Sequence, residues 1–127
     1  MALDHISVAV KDLEKAGRFY DVVFAPLGMV RLADRPETIG YGKKFPEFWI
    51  NARPDMAPVP ADTGVHIALR ARSEELVLDV YQTALTNGGY DAGAPAPRQA
   101  VLGPYFGAFF KDPDGNKVEI LTFPKPE

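Results

Sequence analysis

An α+β fold built from two similar modules is predicted by an internal repeat, by the patterns that follow each copy, and by a proline-rich break. Asp4-His5-Ile6-Ser7-Val8-Ala9-Val10 returns as Val65-His66-Ile67-Ala68-Leu69-Arg70-Ala71, and each copy alternates as a strand does. An amphipathic helix pattern and then short strand patterns follow each copy. Between the two runs, Pro54, Pro58 and Pro60 fall in a stretch with neither helical nor strand period, which reads as a linker.

The elements can be justified in order. From Leu3 to Val10, Ile6, Val8 and Val10 share one face of a strand, and His5, Ser7 and Ala9 share the other. Asp12 is an N-cap for a helix over Leu13 to Phe24, whose apolar stripe is Leu13, Ala16, Phe19, Tyr20 and Val23. Pro26 and Gly28 end it, and Met29 to Leu32, Thr38 to Tyr41 and Phe48 to Asn51 are short strands between turn-forming residues. In the second run, Gly64 to Ala71 is a strand and Ser73 caps a helix reaching about Asn87. Gly88-Gly89 stops that helix. Ala92 to Pro97 is a proline- and alanine-rich loop. Tyr105 to Lys111 and Lys117 to Thr122 then form a hairpin on the structural turn Asp112-Pro113-Asp114-Gly115-Asn116. The modules span about 1–53 and 63–123 of a single domain. Either module alone leaves one sheet face bare, so pairing them is the economical arrangement.

Composition narrows the function. Hydrophobic content of 46% and charged content of 24% are those of a soluble globular protein. No apolar run approaches the roughly 20 residues that cross a bilayer, and no signal-peptide pattern opens the chain, so no membrane partner and a cytoplasmic location are expected. The absence of cysteine excludes disulfides, thiolate metal sites and cysteine nucleophiles. A net charge of −3 argues against nucleic acid as a partner, and leaves small neutral or metal-chelating molecules as the expected ligands.

His5 and His66 are the only histidines, and they hold equivalent places in the repeat, which points to one shared site. Glu119 supplies a third donor. It stands among Val118, Ile120 and Leu121, where an unpaired carboxylate costs several kcal/mol and calls for a compensating cation. Two imidazoles and a carboxylate suit one divalent first-row metal, zinc, nickel, manganese or iron, with open positions for water or a chelating substrate. Glu119 is assigned to catalysis as well as to the metal. Trp49, Tyr105 and Phe109, with Arg98 and Tyr41 as polar contacts, are the expected substrate-binding residues, and as a set they suit an apolar or aromatic ligand carrying oxygen donors.

Together, His5, His66 and the closing run Asp112-Pro113-Asp114-Gly115-Asn116-Lys117-Val118-Glu119 resemble the vicinal oxygen chelate superfamily of glyoxalase I, bleomycin-resistance proteins and extradiol dioxygenases. The resemblance covers essentially the whole chain. It implies paired βαβββ modules forming a cupped mixed sheet around a metal, a homodimer, and a small-molecule substrate that chelates the metal through vicinal oxygens. The activity it implies is of lyase, isomerase or related type; the alternative is a non-catalytic binding or sequestration protein of the bleomycin-resistance kind. One departure is clear. Overlaying the halves puts Trp49 where glyoxalase I-like enzymes place a fourth ligand, which tells against lactoylglutathione lyase activity, and Glu47 is the nearest carboxylate to that position.

Overall fold

The computed structural model describes residues 2–124; Met1, the first residue of the first expected module, lies outside them. The chain divides into two compact units between Pro58 and Val59. In the first, β1 (Ile6–Val10), α1 (Leu13–Phe24), a 3-10 turn (Ala25–Leu27), β2 (Val30–Asp34), β3 (Thr38–Gly42) and β4 (Phe48–Ala52) give a sheet of order β1-β4-β3-β2. The second unit repeats the plan with β5 (Ile67–Arg70), α2 (Glu74–Thr86), β6 (Tyr90–Ala100), β7 (Gly103–Lys111) and β8 (Lys117–Thr122), ordered β5-β8-β7-β6. In each sheet the first and last strands pair in parallel and the remaining pairs are antiparallel. Both units are therefore βαβββ, and the fold is α+β with two mixed four-stranded sheets.

Each helix covers one face of its own sheet. The Asp12 side chain accepts from Lys15 N at the start of α1, and Gly28, in the left-handed region with φ 76°, closes the turn after it. Phe19, Tyr20, Val23 and Phe24 of α1 are buried with Ile39, Tyr41, Phe48 and Ile50 of the sheet. The centroid of the Phe48 ring is 5.1 Å from that of Tyr20 and 4.9 Å from that of Phe24, so the first core is largely aromatic. In the second unit, Ser73 Oγ caps Leu76 N at 3.2 Å. Val77, Val80 and Ala84 of α2 are buried with Ala108, Phe110, Val118 and Ile120.

Some boundaries differ from the sequence expectation. Parallel pairing begins at Ile6 opposite Phe48 and at Ile67 opposite Val118, so His5 and His66 immediately precede their strands instead of lying within them. The expected loop Ala92 to Pro97 belongs to β6. This strand is the edge of its sheet, where Pro95 and Pro97 need no partner for a missing N–H, and two register shifts absorb the irregularity.

Tyr41, expected to contact substrate, is a core residue instead. It is fully buried, and its hydroxyl lies 2.9 Å from Asp21 Oδ1 and 3.0 Å from the Gly17 carbonyl of α1. Asp21 in turn accepts a bidentate pair from Arg31 at 2.7 and 2.9 Å. Burial, reinforced by the Asp21 carboxylate, pushes the Tyr41 pKa well above its usual 10.0. Because the folded value is the higher one, the stability this phenol contributes is complete below the unfolded pKa and is lost as pH rises through the folded one. Tyr41→Phe is expected to cost about 0.5–1.5 kcal/mol at neutral pH. Urea unfolding from neutral pH to above pH 10 should also show a shallower alkaline loss of stability in the variant. An unchanged alkaline slope would contradict this role.

Candidate metal and ligand site

The faces turned away from the helices carry the candidate functional residues. In the second unit, β5 and β8 pair Ala68 with Glu119, and β7 pairs Phe109 with Glu119. Residues two apart along a strand share a face, so His66, Glu119, Phe109 and Tyr105 lie together. Glu119 is 5% exposed, yet both carboxylate oxygens are engaged. His66 Nε2 lies 3.2 Å from Oε1, and the Tyr105 hydroxyl donates to Oε2 at 2.8 Å. Burial, and then this hydrogen bond, raise the Tyr105 pKa. The Phe109 ring meets the His66 imidazole edge-on, with centroids 5.3 Å apart. Arg98 reaches the same face from β6, donating through Nε to the Gly107 carbonyl at 2.9 Å with Cζ 5.0 Å from the centre of the Phe109 ring.

In the first unit the arrangement is parallel in backbone and different in content. β1 and β4 pair Ser7 with Trp49, so Trp49 and Glu119 each sit opposite the residue two places after their module's histidine. The neighbouring strand places Gly40 beside Trp49 and Phe109 beside Glu119. The indole lies across Gly40, where a Cβ would come within 2.9 Å of both its ring and Pro46. His5 meets this indole edge-on at 6.4 Å, and its Nδ1 lies 2.6 Å from Asp4 Oδ1. Asp4, His5, Phe45, Pro46 and Trp49 line a cavity of about 510 Å³. Beyond them on the same face, Thr38 Oγ1 donates to Asn51 Oδ1 at 2.7 Å, and the Asn51 amide donates to Ser7 Oγ. Glu47 is exposed, two residues before Trp49 and therefore on its face. Its backbone is bonded to Ile6 and to Tyr41, each at 2.9 Å, which pins the register of the strand.

The histidine–carboxylate pair of the second unit fits a divalent cation. Two ligands about 2.0–2.1 Å from a tetrahedral ion lie about 3.3 Å apart, close to the observed separation of His66 and Glu119. Among the described residues, no group of three or more His, Cys, Asp or Glu side chains gathers at one point. The structure thus brings His66 and Glu119 together with Tyr105, Phe109 and Arg98, places His5 with Trp49 in the first unit, and turns Tyr41 into the core. Sequence reasoning missed Asp4, Phe45 and Pro46. The Asp4-His5 dipeptide was visible, but Phe45 and Pro46 reach the site through a loop with no periodic signal. Asp112 is a turn residue, as expected: it is buried, and its carboxylate accepts from Asp114 N, Asn116 N and the Asn116 amide at 2.8–3.0 Å.

Gly40→Ala tests how the indole is seated. The added methyl should displace Trp49, the single tryptophan of the chain, shift its fluorescence emission, and cost about 1–3 kcal/mol in urea unfolding. Unchanged emission with unchanged stability would show that the ring does not rest on Gly40.

Known proteins share this architecture. A glyoxalase/bleomycin resistance protein from Albidiferax ferrireducens T118 superposes with a TM-score of 0.83 at 28% identity, over 94% of this chain and 97% of that one. A glyoxalase/bleomycin resistance protein/dioxygenase family enzyme from Burkholderia phytofirmans PsJN has the same fold at 16% identity, with a TM-score of 0.72 over 96% of this chain and 98% of its own. So does a glyoxalase/dioxygenase from Nostoc punctiforme, at 20% identity and a TM-score of 0.71 over 97% of this chain and 91% of that one. The sequence profile of one family matches residues 2–120. The chain belongs to the Glyoxalase/Bleomycin resistance protein/Dioxygenase superfamily.

Proposed function

We propose that this chain is a small metal-dependent enzyme of lyase, isomerase or related type, acting on a substrate that presents vicinal oxygens to one divalent cation. The observation that carries this reading is the Glu119 carboxylate, 5% exposed, with His66 Nε2 at 3.2 Å from one oxygen and the Tyr105 hydroxyl at 2.8 Å from the other. A carboxylate kept in an apolar sheet by one neutral donor and one imidazole is a cation site in its chemistry. His66 and Glu119 are two ligands, and His5, from the first unit of this chain or of a second copy in a homodimer, is the third. A bound divalent metal supplies Lewis-acid stabilisation of a developing oxyanion.

The protein's own groups do the remaining work. Tyr105 holds Glu119 in one rotamer through its hydrogen bond, as partners of metal ligands commonly do. Phe109 packs against the His66 ring and limits its orientation. Trp49, Tyr105 and Phe109 offer aromatic surface to the substrate, while Arg98 offers a guanidinium. Trp49 cannot act as a carboxylate ligand or base, so lactoylglutathione lyase activity is not proposed.

Calorimetric titration of zinc or nickel into EDTA-treated protein tests the reading. Saturable binding is expected. Tyr105→Phe should weaken it roughly 10-fold, and His5→Ala, His66→Ala and Glu119→Gln should each exceed the roughly 10–100-fold loss typical of removing an outer partner. Circular dichroism should confirm that each variant is folded. Absence of metal uptake by the wild type, or uptake indifferent to His66→Ala and Glu119→Gln, would overturn the proposal.

A further inference from the structure

The open face of the second unit carries more positive charge than the proposed function uses, which gives a role to Arg98 alone. Lys117 Nζ lies 4.9 Å from the centre of the Phe109 ring, and the Arg98 guanidinium lies 5.0 Å from the same ring. Arg70 lies 4.9 Å over Phe123, whose ring neighbours Tyr105 at 6.0 Å. All three cations share the face of Glu119 by strand register. Among the described residues, none of them has a carboxylate within ion-pairing distance, although acids outnumber bases 17 to 14 in the whole chain.

Apart from Glu119, the described acids of this unit are used elsewhere. Glu74, Glu75 and Asp79 lie on α2, behind the sheet. Asp91 accepts from Tyr81, Asp62 accepts from Gly64 N, and Asp112 and Asp114 belong to the β7–β8 turn. Glu119, the one acid on the face among the described residues, is already matched by His66 and Tyr105. An aromatic quadrupole attracts a cation but does not cancel its charge. The Phe109 ring therefore has two cations over it, at a surface that still has positive charge to be met.

We infer that the open face of the second unit receives an anionic group, a carboxylate or a phosphate, at the Phe109 ring within reach of the flanking cations Arg98 and Lys117, so that the natural ligand is a small organic anion. The net charge of −3 does not describe this face, because charge is segregated between faces. The inference rests on the proposed function only in taking this face as the one that meets the ligand.

The test uses EDTA-treated protein, so that it succeeds or fails independently of metal uptake. Benzoate is titrated while chemical shifts are followed by NMR, with benzamide as the uncharged isostere and inorganic phosphate as the second anion. Benzoate should shift the Phe109 ring and Arg98 side-chain signals saturably, and benzamide should bind at least roughly 10-fold more weakly. Lys117→Gln and Arg98→Gln should each weaken benzoate roughly three- to tenfold. Lys117→Gln is the safer variant, since the Arg98 side chain also holds the Gly107 and Ala94 carbonyls. Displacement of benzoate by phosphate at lower concentration would assign the anion to a phosphate, and failure to displace would assign it to a carboxylate. Equal binding of benzamide and benzoate, or wild-type affinity in both folded variants, would overturn the inference.

Discussion

A carboxylate in the middle strands of a sheet has to be matched by donors or by a cation, because several kcal/mol of lost hydration cannot otherwise be recovered. Glu119 is under this constraint. β8 is paired on both sides, by β5 and by β7, and the residues flanking Glu119, Val118 and Ile120, are buried and apolar. The match comes from Tyr105, four residues along β7 from the cross-strand neighbour Phe109, and from His66 at the entry to β5. Each of these residues is placed by the same register. A one-residue slip of β8 would turn Glu119 into the apolar layer beneath α2 and disperse the group. Fold and site are thus held by a single alignment of strands.

The repeated plan also shows how one scaffold accommodates different chemistry. Trp49 and Glu119 occupy corresponding positions, as do Gly40 and Phe109. In the first unit the aromatic ring stands on the last strand and glycine makes room for it. In the second unit the carboxylate stands there and the ring moves one strand over. Each face keeps an aromatic plane beside its histidine, with one carboxylate between the two modules' equivalent positions instead of two. That asymmetry arises from side chains on sheets of the same strand order.

Much of this was legible in the sequence, for identifiable reasons. The α1 stripe and its Asp12 cap mark a helix at Leu13–Phe24 because both cap and period are local. The equivalence of the two histidines and the partnership of His66 with Glu119 follow from alternation and repetition. Tyr41 shows the limit. Alternation assigns it to one of two faces, but its partners Gly17 and Asp21 lie 24 and 20 residues earlier, on a helix whose docking no local pattern specifies. β6 was hidden because Pro95 and Pro97 break every strand signal, while an edge position tolerates them. The cations around Phe109 were obscured differently: a net charge sums over the whole surface, and Arg70, Arg98 and Lys117 meet only when three strands align.

The metal-binding set we propose is Glu119 with the two histidines. X-ray absorption at the zinc edge of the zinc-loaded wild-type protein tests it most directly, because imidazole rings give a characteristic multiple-scattering pattern. Two imidazole nitrogens at about 2.0–2.1 Å, together with carboxylate or water oxygens, are predicted. A first shell of oxygen alone, or a single imidazole, would contradict the account.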